Sequence, residues 1–344
     1  MRIVIFTNKN PFLPNSGYQI PIYFRLKYYN YDKALIIWNS KNNFDGFKTF
    51  FDKKIRVIKL NLFKEYNFFL KLFYFLFGNS PFFAIKKINK KNLKIAYNQI
   101  NDFNADIVYF EGEVYGLFDK TLPENSFNII SINDSLALAY EEEFNNKVNS
   151  NLFLYFLKKL NYLKIKRFET SRYTKFHRCQ IISQIDSTYL SKLNYKIKVS
   201  VHNVGVDTAY FKNNLNSYKK NNNLLIVGNL VGGNLLYTLN FIQNVWLKFN
   251  FYKKYKLIII SRTFPKEFNK YIGKINFSIE SNVEDLRPFY KKSDAVISPL
   301  KKKTGMQNKV LEGMSMSKCV FGYSESFLGF TKAINNKHYL GFSN

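Results

Sequence analysis

The chain alternates short apolar runs with longer segments of helical spacing, and it does so twice. Residues 2–6 (RIVIF), 34–38 (ALIIW), 55–60 (IRVIKL), 106–111 (DIVYFE) and 127–132 (FNIISI) have the length and β-branched content of strands. Between them, residues 19–29, 61–77 and 85–103 read as helices. Residues 151–176 read as one long basic amphipathic helix, 178–184 as a strand, and Asp186 as the cap of the short helix that follows. The polar stretch 212–222, KNNLNSYKKNN, is a linker or surface loop. Then the pattern restarts, with strands over 224–227, 256–261, 275–279, 293–298 and 319–322. Helices follow over 234–249, within 281–293, and where Met306, Val310, Leu311 and Met314 fall at helical spacing. Strand–helix alternation of this kind predicts an α/β chain of two Rossmann-like, doubly wound domains facing across a cleft, residues 1–206 and 207–344.

Composition narrows the class. Hydrophobic residues make up 46% of the 344, enough for two packed cores and too many for a disordered chain. The formal net charge is +28, from 52 Lys+Arg against 24 Asp+Glu, and implies an anionic partner. The abundance of Asn, Ile, Phe and Tyr also points to A+T-rich codons, which supply lysines without selection for charge. Any such cation binds DNA in a salt-dependent way, but no RRM, KH, zinc-finger or helix-turn-helix signature is present, so no specific nucleic-acid partner is expected. Cys179 and Cys319 lie on apolar strand-like runs and read as buried reduced thiols; His177, His202 and His338 show no ligand spacing, so no metal is expected. The first apolar run is too short for a secretory signal, and no run reaches the ~18–20 residues of a membrane span. The longest, Phe68–Phe77, is interrupted by Lys71. Over 61–103, aromatics beside Lys86, Lys87, Lys90, Lys91 and Lys94 suit an interfacial helix on anionic lipid; the same residues also fit an aromatic core with solvated lysines.

Candidate chemistry concentrates in residues 298–321, SPLKKKTGMQNKVLEGMSMSKCVF. A helix here joins two parallel strands, which puts the loop Leu300–Gly305 at the carboxyl end of a strand, where open α/β sheets bind ligands. Gly305 lets a ligand approach the backbone, and the amides of the helix start suit an anion. Lys301 to Lys303 lead in, Gln307, Asn308 and Lys309 offer donors, and Glu312 can accept from a hydroxyl-rich group such as a ribose. Together they suit a nucleoside diphosphate. An apolar-faced helix with a capped first turn is the plainer account. Elsewhere, Asp134 in Asn133-Asp134-Ser135 follows a strand and is either a site residue or a helix cap. GNLVGG, 228–233, has neither a G-K-[ST] ending nor the order G-x-G-x-x-G. Arg262 ends a strand, and its fork suits phosphate oxygens.

GMQNKVLEGMSMSKCVF resembles the nucleotide-binding segment of retaining GT-B glycosyltransferases of family 4, in particular a subgroup with G-[IM]-Q-N-K-V-L-E-A-M-A-x-G-x-P-V-V. VHNVGVDTAYF resembles the family's P-N-G-V-D-x-x-x-F hinge; Asn203, Gly205 and Asp207 match, and His202 replaces the proline. The resemblance implies the GT-B fold and transfer of a sugar, with retention and without a metal or cofactor, from a nucleoside-diphosphate sugar to an acceptor hydroxyl. Glu312 matches the second acid of an E-x7-E pair, placed on the ribose; the first falls at Thr304. Gly228 and Asn229 match a G-N-[ML] signature. Arg262 matches an Arg near the diphosphate, with Ser261 in place of the preceding Gly. Val283 borders the base, and Gly17 lies in a loop facing the cleft. Gly305, Met306, Gln307 and Asn308 form the helix start at the diphosphate. Asp134 and Lys309 are the candidate catalytic residues. The implied acceptor is a saccharide or lipid-linked saccharide in surface polysaccharide or lipopolysaccharide assembly. The implied location is the cytoplasm, peripheral on the inner face of the cytoplasmic membrane, with its anionic surface as a partner. Family members usually continue for some tens of residues into a last helix that this chain lacks. A catalytically degenerate nucleotide-binding or scaffold protein of the same fold is the alternative.

Overall fold

A computed structural model describes residues 1–12, 17–40, 54–145, 152–213 and 220–342. The chain forms two compact units, Met1–Asn203 and Val204–Asn344. Ser16, next to Gly17, and most of the polar stretch 212–222 lie outside the described residues.

The first unit runs β1 (Arg2–Thr7), α1 (Ile20–Tyr28), β2 (Lys33–Trp38), β3 (Ile55–Lys59), β4 (Phe63–Glu65), α2 (Phe68–Phe77), β5 (Lys86–Ile88), α3 (Lys90–Phe103), β6 (Ile107–Glu111), β7 (Phe127–Ser131), α4 (Leu136–Asn145), α5 (Leu152–Arg172), β8 (Arg178–Ile181), α6 (Gln184–Leu193) and β9 (Val199–Val201). Seven strands form a parallel sheet in the order β3-β2-β1-β6-β7-β8-β9. Its central strands are buried on both faces, which is why they read as continuous apolar runs rather than alternating ones. Val4, Phe6, Leu35, Ile37, Val108 and Phe110 pack with α3 and α5 on one side. Ile3, Ile5, Ala34, Ile36 and Tyr109 pack with α1 on the other.

The α1 side also holds a buried cation. Arg25 of α1 is 2% exposed, ion-paired with buried Glu111, 3.2 Å from Gln180 Oε1, and stacked 4.0 Å over the Tyr109 ring. Burial lowers its pKa below the usual guanidinium range.

The second unit runs β10 (Asn223–Val227), α7 (Gly233–Phe241, continued in wider turns over Ile242–Leu247), β11 (Lys256–Ser261), β12 (Phe277–Ser281), α8 (Arg287–Lys292), β13 (Ala295–Ser298), α9 (Asn308–Ser315), β14 (Cys319–Tyr323) and β15 (Leu340–Phe342). Its parallel sheet has the order β12-β11-β10-β13-β14-β15. In each unit the winding direction reverses beside the first strand, between β1 and β6 and between β10 and β13. Such reversals open a crevice at the carboxyl edge of the sheet.

Several expectations need correction. The helices read over 61–77 and 85–103 begin later, at Phe68 and Lys90, because Phe63–Glu65 and Lys86–Ile88 pair as a two-stranded antiparallel sheet. Asn67 and Asn89 cap the shortened helices, each accepting from the amide three residues on. Ser183, not Asp186, caps α6: Asp186 donates its amide to Ser183 Oγ from inside the first turn. Helix α4 and strand β15 are additions. Cys179 is buried, but Cys319 is exposed where β14 begins.

Candidate functional site

The second unit's site is built around the turn from β13 to α9. Strand β13 ends at Ser298, and Pro299 stops further pairing. The loop that follows turns at Gly305, whose φ of +67° lies in the left-handed region that a side chain disfavours. A second glycine makes room for it: a Cβ on Gly329 would lie 2.6 Å from the Gly305 carbonyl oxygen. Ser326 ties the same loop down, meeting Ser298 Oγ at 3.1 Å and donating to the Leu300 carbonyl. Helix α9 then starts at Asn308, and Gln307 at its N-cap makes no side-chain capping bond among the described residues.

At the reversal between β10 and β13 lies a recess open to solvent. Gly228, Asn234, Ser298, Leu300, Gln307 and Lys309 contribute to its walls. A Cβ on Gly228 would meet nothing within 4 Å, so a ligand can reach that backbone. Of the residues named from sequence, Gly228, Gln307 and Lys309 line the recess. Asn229, Arg262, Val283, Gly305, Met306 and Asn308 follow the ends of neighbouring strands at the same edge without lining it. Met306 and Val283 pack against the core around Tyr290 and Phe327, so Met306 offers the edge its backbone.

Glu312 sits one turn into α9 and is 4% exposed. Its Oε1 is 2.7 Å from Lys309 Nζ, and its Oε2 accepts from Tyr290 Oη at 2.9 Å. Lys309, whose side chain is 36% exposed, therefore lies between Glu312 and the recess. Thr304 is 1% exposed, and its Oγ1 has no hydrogen-bond partner among the described residues.

The first unit gathers polar residues at its own reversal. Asp134 follows β7, Glu113 follows β6, and Tyr18 precedes α1. Tyr18 Oη donates to Glu113 Oε1 at 3.3 Å. Desolvation pushes the Glu113 carboxyl up to about 7, and the nearby Asp134 charge adds to it. Gly17 adjoins this group. Tyr18 and Glu113 were missed from sequence; an acid after Gly112, at a φ of +116° on a strand end, was the available signal.

Asp134 is not the helix cap. Ser135 Oγ caps α4 by accepting from the Leu138 amide at 3.2 Å. Two buried acids hold Ser135 from behind. Asp186 accepts its amide at 2.9 Å, while Glu169 accepts its hydroxyl and the Leu136 amide, both at 2.8 Å. Glu169 is fully enclosed, and burial raises its carboxyl to about 8. At the junction of the units, Asn203 donates to the Ile182 carbonyl at 2.9 Å, and Asp207 accepts from the amides of Ala209 and Tyr210.

Residues 221–336 match the family model described as glycosyl transferases group 1. No curated protein matches the chain by sequence. Among solved structures, it is similar to sucrose-phosphate synthase from Thermosynechococcus elongatus, with a TM-score of 0.68 at 12% identity over 96% of this chain and 82% of that one. It is also similar to Anabaena HepE in complex with UDP-glucose, with a TM-score of 0.60 at 12% identity over 94% and 80%. A glycosyltransferase from Rickettsia africae superposes with a TM-score of 0.55 at 17% identity over 94% and 79%. Fold and family model agree: residues 221–336 match the glycosyl transferases group 1 model, on a chain with the GT-B fold.

Proposed function

We propose that the protein is a retaining glycosyltransferase that moves a sugar from a nucleoside-diphosphate sugar to an acceptor hydroxyl. The recess at the β10–β13 reversal carries this reading, because Gly228, Gln307 and Lys309 line it beside the start of α9. Similarity to a protein solved with UDP-glucose supports the donor class.

In this reading the pyrophosphate lies against Gly228, Asn229 and the amides of Gly305–Asn308, with Arg262 and Lys309 as cations and Val283 bordering the base. As the sugar leaves, charge develops on the diphosphate. Fixed donors aimed at that charge contribute ~3–4 kcal/mol each to lowering the barrier, without a metal or cofactor. The departing phosphate takes the acceptor proton, and Asp134 orients the acceptor. When Lys309 swings to phosphate it releases Glu312 Oε1, which then accepts from the ribose hydroxyls. A carboxylate has about four lone-pair sites, so the Tyr290 bond leaves capacity for this.

The acceptor class we propose is a saccharide or lipid-linked saccharide of surface polysaccharide or lipopolysaccharide assembly, met at the inner face of the cytoplasmic membrane. A thermal-shift screen against nucleoside diphosphates, followed by sugar-transfer assays with the matching nucleotide-sugars, tests the reading. Absence of any shift overturns the donor site.

Buried Thr304, where the family motif has its first acid, favours a second reading: a protein that binds the nucleotide without turnover. A clear thermal shift without sugar transfer to any saccharide acceptor would establish it.

A further inference from the structure

Helix α2 is apolar around most of its circumference, a pattern that belongs to a helix surrounded by protein or lipid. Yet Phe75 is its one buried residue. Phe69 is 82% exposed and Phe77 76%, and Phe68, Phe73 and Tyr74 are also exposed. Ten residues span ~15 Å, half the hydrocarbon thickness of a bilayer, so α2 is too short to cross one. Among the described residues no helix is long and apolar enough to do so.

The surface continues along α5. Lys164 of α5 donates to the carbonyls of Phe75 and Gly78, and Asn161 accepts from the Phe82 amide, so the end of α2 is seated on the middle of α5. Toward its start, roughly two to three turns away, α5 exposes Leu152, Phe153, Leu154, Tyr155 and Phe156 in succession. Leu163, beside the seat of α2, is 52% exposed.

Beside this apolar face stands a cationic one. β4 leads into α2 and β5 into α3, and their antiparallel pairing places Lys64 opposite Lys87. Like charges directly opposite on an antiparallel pair are destabilising, and an anion layer over them relieves the repulsion. Lys90, Lys91 and Lys94 are exposed on the adjoining α3.

We propose that α2, the start of α5 and the paired strands β4 and β5 form one docking face for an anionic phospholipid bilayer. Phe69, Phe77 and Phe153 would enter the headgroup–acyl boundary, while Lys64 and Lys87 meet lipid phosphates. Charge complementarity selects this occupant: a chain of net charge +28 repels a second copy of itself, whereas aromatics fringed by lysines match an anionic interface. The inference does not rest on the donor site.

Vesicle flotation of the full chain tests it, using phosphatidylcholine with and without phosphatidylglycerol. The protein is expected to float with the anionic vesicles and to keep part of that binding in high salt. Phe69→Ser/Phe77→Ser and Leu152→Ser/Phe153→Ser should each weaken flotation at least about tenfold, through lost apolar burial. Lys64→Glu/Lys87→Glu should remove the preference for phosphatidylglycerol. Unchanged melting temperatures would show that the variants fold. Flotation equal to wild type in both aromatic variants overturns the proposal, as does binding lost entirely in high salt. A dimer that dissociates on Phe69→Ser/Phe77→Ser, with no vesicle binding, would assign the face to a second copy and also overturn it. Failure of nucleotide binding would leave every one of these outcomes standing.

Discussion

Lys309 Nζ lies 2.7 Å from Glu312 Oε1, one helical turn apart on α9, so the cation nearest the recess is held by an acid behind it. Lys309→Ala should lower affinity for a nucleoside diphosphate about ten- to hundredfold, the scale of a lost charge-assisted hydrogen bond. Glu312→Gln keeps a partner for Tyr290 but frees the lysine, and should weaken binding less. Calorimetric titration checks both, and wild-type affinity in each would remove the pair from the site.

Asp134 and Ser135 are neighbours with opposite expected behaviour. Asp134→Asn should leave the melting temperature unchanged, because Ser135 makes the cap, and should reduce turnover at least about tenfold if Asp134 orients the acceptor. Ser135→Ala removes the cap and the hydroxyl donor to Glu169 Oε2, and should cost ~1–2 kcal/mol of stability. Paired denaturation and transfer assays separate the two roles.

Glu169 predicts a pH dependence. Its carboxyl titrates near 8 in the folded chain and near 4.5 when unfolded, so between those values the folded state binds more protons. Stability from this group is therefore full below pH 4.5 and is lost as pH rises through 8. Glu169→Gln should flatten the fall in melting temperature between pH 4.5 and 8, measured by scanning calorimetry against wild type.

Arg25 and Glu111 are a buried pair in which each charge needs the other. Arg25→Ala should destabilise the first unit by ~3–5 kcal/mol, since Glu111 is left unpaired. Arg25→Met with Glu111→Leu should recover most of that loss. Urea denaturation of the three variants distinguishes a missing partner from a missing charge.

Much of this architecture was legible because parallel strands buried on both faces leave unbroken runs such as RIVIF and KLIII. The β4–β5 pair was not, since FKE and KKI are too short and too charged to show a period; only their pairing across the intervening α2 makes them strands. Helix α4 hid behind an acidic EEE stretch that caps and loops share. At the site, Lys309 and Gln307 were found from their place on a helix start. The burial of Glu312 was not, because Tyr290, its second partner, comes from a different helix. Glu113 escaped for a similar reason: its meaning depends on Tyr18 and Asp134, which the chain brings together from two other strand connections.

The close approach of Gly329 to the Gly305 carbonyl has an evolutionary reach. Glycine codons begin with two guanines, and a chain this rich in Asn, Lys, Ile and Phe drifts away from guanine. One base change at either position yields Ser, Asp or Val, each bringing an atom where the backbone of the partner already lies or where φ forbids it. The loop at the recess is thus the place where mutational drift and ligand geometry oppose each other most directly.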